Sequence, residues 1–171
     1  GKWNLGEDEA HGPLHRGFDE FFGFTGFAHR YVRNDRLKSG ETDPLRRGSE
    51  VVLETEYLTD AFAREAGNFI HRHAGEPFFL YAAFNAPHTP MQATDIQLAR
   101  FASSGDSTRA RYAAMVASLD EAVGHIRRAL REAGLQDDTI VVFLSDNGPD
   151  FSRGGRGDPL PGRGGLSRVG L

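Results

Sequence analysis

The chain has 171 residues, 39% of them hydrophobic and 11% aromatic, and a formal net charge of -4. Its length is that of about one domain and its composition is globular, which excludes disorder throughout. The mildly acidic balance gives no overall attraction to nucleic acid or to an anionic membrane, and the absence of cysteine excludes disulfides, zinc-thiolate sites and thiol nucleophiles.

Residues 1 to 50 are rich in glycine, aromatic and charged residues without a sustained period, which predicts loops with short helical turns. The stretch YLTDAFAREAGNFIHRH then sets Leu58, Phe62, Ala66, Phe69 and Ile70 on one face at helical spacing, predicting a helix that ends near Gly75. FFLYAAF, from Phe78 to Phe84, is short, apolar and continuous, as in a strand buried on both faces. It falls far short of the roughly 18 residues that span a bilayer. NAPHTP breaks that run. A longer helix is predicted from about Ser107 to Ala133, with Tyr112, Met115, Val116, Leu119, Val123, Ile126 and Leu130 in one stripe and Gly134 as its stop. A second buried strand, Ile140 to Leu144, runs into SDNG.

Strand, helix, strand with apolar strands predicts a parallel pair and a right-handed crossover, hence an α/β fold with a mostly parallel sheet flanked by helices. Ligands of such sheets bind beyond the carboxyl ends of the strands, where His88 follows one run and Asp146 and Asn147 follow the other. From Phe151 the chain changes to seven glycines, four arginines and one acid in 21 residues, an anion-attracting loop or an irregular tail.

Several side chains carry chemistry. Asp146 and Asn147 are adjacent hard oxygen donors of the kind calcium or magnesium takes, and two donors fall short of the six to eight oxygens calcium usually gathers. On spacing alone an Asx turn explains them equally well. His88, framed by Pro87 and Pro90, could bind an anion or protonate a leaving group, or be a loop histidine with its hydrogen bond satisfied. Lys2 could meet a sulfate or phosphate oxygen as a point charge, or be a solvated surface lysine. His71 and His73 sit at i and i+2, which do not share a helix face, and read as surface histidines.

In order, GKWNLG, RGFDEFFGF, FFLYAAFNAPHTP and the helix that runs into TIVVFLSDNG resemble the sulfatase family over residues 1 to about 155. The resemblance implies a partial alkaline-phosphatase-like α/β catalytic domain over 1–155, followed by a Gly/Arg-rich loop or tail over 156–171. It implies hydrolysis of sulfate esters of a small molecule or glycan by a formylglycine nucleophile beside bound calcium. The formylglycine motif lies upstream of Gly-Lys-Trp in the family, so the chain is expected to be an internal piece that lacks the nucleophile, is inactive alone and leaves an apolar sheet face or edge uncovered. By position, Lys2 matches the sulfate-contacting lysine and His88 the histidine near the leaving oxygen. Asp146 and Asn147 match half of the calcium site. Asn4 stands where the family usually has a histidine that positions the hydrated aldehyde; it can donate a hydrogen bond but cannot exchange a proton near neutral pH. Arg163 falls near an expected sulfate-binding lysine. The family is commonly periplasmic, secreted or lysosomal. A phosphomonoester or phosphonate hydrolase of the same superfamily and a non-catalytic anion-binding relative are the alternatives.

Overall fold

The computed structural model describes residues 1–32 and 44–148. Short 3-10 turns at Glu9–His11 and Pro13–His15 lead into a small antiparallel sheet of β1 (Phe22–Gly23), β2 (Arg46–Arg47) and β3 (Glu50–Val51). Then come α1 (Leu58–Arg72), α2 (Asp95–Ala99) and the long α3 (Ser107–Glu132). The described part of the aperiodic first 50 residues is therefore mostly loops and single turns, as the sequence predicts, with the small sheet added.

The long helix α3 starts and stops where local chemistry directs. Asp106 caps α3 by accepting from the backbone N–H groups of Thr108 at 2.9 Å and Arg109 at 3.1 Å. Beyond its end Gly134 takes φ 72°, and the Leu135 N–H returns to the Leu130 carbonyl at 2.8 Å. The helices run in the same direction, since Leu58 and Phe62 share one core cluster with Met115 while Ile70 shares another with Ala129 and Leu130.

The face α3 buries is not centred on its large residues. Ala110, Ala114, Ser118 and Ala122, four apart, are buried with Met115, while Val116 is 40% exposed. Small side chains at that spacing let one helix approach another closely, so contact distance, rather than apolar bulk, sets the rotation of α3.

The two apolar runs depart further from expectation. Phe78–Phe84 forms no regular element and joins no ladder among the described residues; Phe78 and Leu80 pack against the Ile70 cluster, while Phe79 is 75% exposed and Tyr81 is exposed as well. Ile140–Leu144 likewise forms no regular element and is exposed at every residue. A strand interior needs neighbours on both edges for its N–H and C=O groups, and among the described residues neither run has them. The apolar face expected to lie uncovered is here.

Ion pairs fasten the sheet side to α1. Arg47 on β2 makes a two-pronged contact with Glu65 at 2.6 and 2.8 Å, and its guanidinium lies 4.8 Å from the Phe22 ring centre. At the end of α1, His73 reaches Glu20 through Nε2 at 2.7 Å and Glu76 through Nδ1 at 2.6 Å, and Arg72 meets the other Glu20 oxygen at 2.5 Å. Both imidazole nitrogens face carboxylates, an arrangement that favours the doubly protonated ring. The Glu76 and Glu20 hydrogen bonds raise the His73 pKa, and the His73 bond lowers that of Glu20.

A raised histidine pKa stabilises the fold below about pH 6.5 and loses that effect as pH rises through the folded value; a lowered Glu pKa stabilises above about pH 4.3 and loses it on acidification. Thermal unfolding of Glu20→Gln is therefore expected to fall furthest below the parent chain between about pH 5 and 6, and the gap to narrow towards pH 9, where the Arg72–Glu20 pair alone remains. A gap that widened above pH 8 would contradict this pairing.

Candidate active site

The segment Gly1–Asn4 threads between β1 and the Phe78–Phe84 run. The Trp3 and Asn4 N–H groups donate to the carbonyls of Phe24 and Thr25, both at 2.9 Å, and the Phe24 N–H returns to Gly1 at 3.2 Å. From the other side the Lys2 N–H donates to the Ala83 carbonyl at 2.8 Å. Lys2 and Phe24 form an isolated parallel bridge; the expected parallel pair of Phe78–Phe84 with Ile140–Leu144 does not form among the described residues, whose one sheet is antiparallel.

This threading is close enough to require glycine. A Cβ on Gly23 would stand 1.8 Å from the Gly1 carbonyl oxygen, and one on Gly1 would stand 2.5 Å from that of Ala83. Trp3 locks the outer end: its indole N–H donates to the His11 carbonyl at 2.8 Å, and its ring meets Phe18 edge-on at 5.8 Å. Asn4 follows at φ 54°, a left-handed conformation that asparagine adopts more readily than most residues. Its backbone supplies a structural reason for asparagine, and its side chain is exposed.

His88 is held by a clasp of buried aromatics. Tyr31, 1% exposed, shares its hydroxyl hydrogen between the carbonyls of Asn85 at 2.6 Å and His88 at 2.9 Å. The Tyr31 N–H donates to the Gln92 side-chain oxygen at 2.9 Å, the Tyr57 hydroxyl donates to the Gln92 carbonyl at 2.9 Å, and the two tyrosine rings stack at 5.6 Å. Burial pushes the Tyr57 phenol up to about 12 and that of Tyr31 higher, so both remain hydroxyl donors at any physiological pH.

The imidazole itself is half-buried. Its Nδ1 lies 2.7 Å from the Thr89 carbonyl, which can only accept, so Nδ1 carries hydrogen and Nε2 is left to face a ligand. On one side the ring meets Phe27 edge to face at 5.0 Å, and the same Phe27 ring lies 5.7 Å from the Lys2 ammonium. Lys2 and His88 thus share one aromatic neighbour.

The other expected residues are placed differently. Asp146 and Asn147 end the exposed Ile140–Leu144 run, with the Ser145 hydroxyl donating to the Asn147 carbonyl at 2.5 Å. Among the described residues no cluster of three or more His, Asp or Glu side chains is arranged to hold a metal. Arg163 and the 156–171 tail lie outside the described residues. His71 and His73 form no ligand pair; His73 belongs to the carboxylate cluster at the end of α1. A cavity of about 890 Å³ beside the threaded segment takes in Lys2 but not His88, and much of its wall is aromatic, including Phe18, Phe62, Phe79 and Tyr81. The same wall also carries charged groups, among them Arg47, Glu65, Arg72 and His73.

Tyr31, Gln92 and Phe27 are missing from any sequence-based candidate set. They sit in segments with no period and no spacing rule, and only the folded chain brings them to His88.

Comparison with known proteins bears on these residues as a set. The family model described as Sulfatase matches residues 1–165. The chain is 32% identical to arylsulfatase J of Mus musculus over 186 aligned positions, covering all of this chain and 31% of that protein. It is 36% identical to N-acetylgalactosamine-6-sulfatase of Homo sapiens, covering 86% of this chain and 29% of that protein. The crystal structure of Ps i-CgsB in complex with k-i-k-neocarrahexaose superposes with a TM-score of 0.87 at 40% identity, over 94% of this chain and 39% of that one. The chain thus spans about a third of the length of these relatives.

Two substitutions test the local architecture. Gly23→Ala is expected to cost about 2 kcal/mol or more of unfolding free energy, because backbone cannot yield as a flexible side chain does. Tyr31→Phe takes the hydroxyl donor from the His88 carbonyl and from the Asn85 carbonyl, which keeps the His88 N–H at 2.8 Å, and is expected to cost about 1–3 kcal/mol by denaturant unfolding, with broadened His88 ring signals in NMR spectra. Unchanged stability and an unchanged His88 spectrum would show that the clasp does not hold this loop.

Proposed function

The chain belongs to the sulfatase family, and from that premise we propose that it forms part of a sulfuric ester hydrolase in which Lys2 and His88 hold the sulfate group and stabilise the leaving oxygen. The observation that carries the reading is the convergence of an ammonium and an imidazole, far apart in sequence, on the single ring of Phe27.

An ammonium is a strongly hydrated point charge whose attraction to a sulfate oxygen needs no particular angle. It lowers the energy of a state in which negative charge grows on that group. His88, with Nδ1–H committed to Thr89, offers Nε2 as the atom that gives a proton to the departing ester oxygen or donates a hydrogen bond to it. Asn4 contributes an exposed amide at the same end of the threaded segment, able to donate but not to titrate.

Asp146 and Asn147 suit calcium by donor type, a carboxylate and an amide oxygen, and by number would form only part of its shell. Calcium and a formylglycine, when present, would supply charge neutralisation at the sulfate oxygens and a nucleophile for sulfur. The names and ligands of the relatives, a sulfated amino sugar in one and a neocarrahexaose in another, favour a sulfated glycan as the substrate class. Arg163 and the Gly/Arg-rich 156–171 stretch would add positive charge towards such a polyanion.

The test is sulfate release from sulfated oligosaccharides by the protein that carries this chain, compared with phosphate release from phosphomonoesters. Lys2→Ala and His88→Ala are each expected to lower kcat/KM for the sulfate ester by about a hundredfold or more, with folding unchanged. Faster turnover of the phosphate ester would assign the site to the phosphohydrolase branch. Anion binding without turnover of either ester would make the chain a non-catalytic relative.

A further inference from the structure

We propose that Phe27 is a positioning residue of the anion site, a neutral aromatic spacer that fixes the Lys2 ammonium and the His88 imidazole relative to each other. The inference rests on the reading of Lys2 and His88 as the sulfate-binding pair and adds a residue to it.

Phe27 is a large apolar side chain left 63% exposed, while Phe24, three residues earlier, is completely buried. Core packing therefore does not account for its place. What it touches does: the Lys2 ammonium at 5.7 Å and the His88 ring, edge to face, at 5.0 Å. Lysine ends a flexible four-carbon stem, and a ring whose face carries negative quadrupole restricts where its charge is found. The edge-to-face contact likewise fixes the tilt of the imidazole about the axis that its Thr89 hydrogen bond leaves free.

The apolar ring also excludes water from beside both groups, which strengthens their attraction to an anion that meets them. Leucine would fill the space but lacks the quadrupole; tyrosine would keep it.

Inorganic sulfate, titrated into the chain and followed through the NMR signals of the Lys2 ε-methylene and the His88 ring, serves as the probe. Phe27→Leu and Phe27→Ala are expected to weaken sulfate binding by about three- to fivefold, and Phe27→Tyr to restore it to within about twofold of the parent. The Lys2 ε-methylene protons should show an upfield ring-current shift in the parent and in Phe27→Tyr that disappears in Phe27→Leu. Circular dichroism melting of all three variants identifies any that fail to fold, and the Leu and Tyr pair decides the question.

Sulfate affinity and Lys2 shifts equal in Phe27→Leu and the parent would overturn the proposal for Phe27 alone, provided Lys2→Ala still weakens binding. Sulfate affinity unaffected by Lys2→Ala would overturn the anion-site reading and this proposal with it.

Discussion

The candidate site depends on four residues that hold their place almost entirely through backbone. Gly1–Asn4 lies against Phe24 and Thr25 on one side and Ala83 on the other, with each contact a main-chain hydrogen bond of ordinary length. Because Gly1 and Gly23 have no side chains, the strands come close enough for those bonds to form. That register sets Lys2 beside the segment that continues through Asn85 into the His88 loop. Shift it by one residue and Lys2 would point to the opposite face.

Two kinds of support hold the two sides of the site. The His88 loop is anchored from beneath by buried phenols and the Gln92 amide, a network in which nearly every polar atom has a partner; Asn85 Oδ1 is a buried exception. The segment bearing Asp146 and Asn147 has no comparable anchor, since the whole Ile140–Leu144 run before it is exposed and packs on neither core cluster. Apolar area left in water forgoes about 25 cal/mol per Å² of stabilisation, so this run contributes little to the stability of the described fold. The segments bearing Lys2 and His88 are therefore held in place by the described fold, while among the described residues little holds the segment bearing Asp146 and Asn147.

The helices were legible because their signals are local: the helical period of 58–72 and the Gly134 stop depend only on near neighbours in sequence. The face of α3 was not, because hydrophobicity ranks Val116 above Ala114 while close packing against α1 selects the smaller residue. Phe78–Phe84 and Ile140–Leu144 read as strands by composition, yet strand formation is a property of neighbours, which no single segment encodes. As site candidates, Lys2, His88, Asn4, Asp146 and Asn147 were suggested by the order of the family's motifs. Spacing alone left each with a plain structural alternative. Tyr31, Phe27 and Gln92 carried no such signal, because what they do is hold other residues, and holding depends on tertiary geometry.

The central claim is that Lys2 and His88 act on one anion rather than as two independent surface groups. A double-mutant cycle on sulfate binding, measured by calorimetry for the parent chain, Lys2→Ala, His88→Ala and the double variant, tests it most directly. The account predicts that the two losses are strongly non-additive, with a coupling of about 1 kcal/mol or more, because removing either group spoils the site for the other. Losses that simply add, within about 0.3 kcal/mol, would place the two side chains in separate environments and contradict the account.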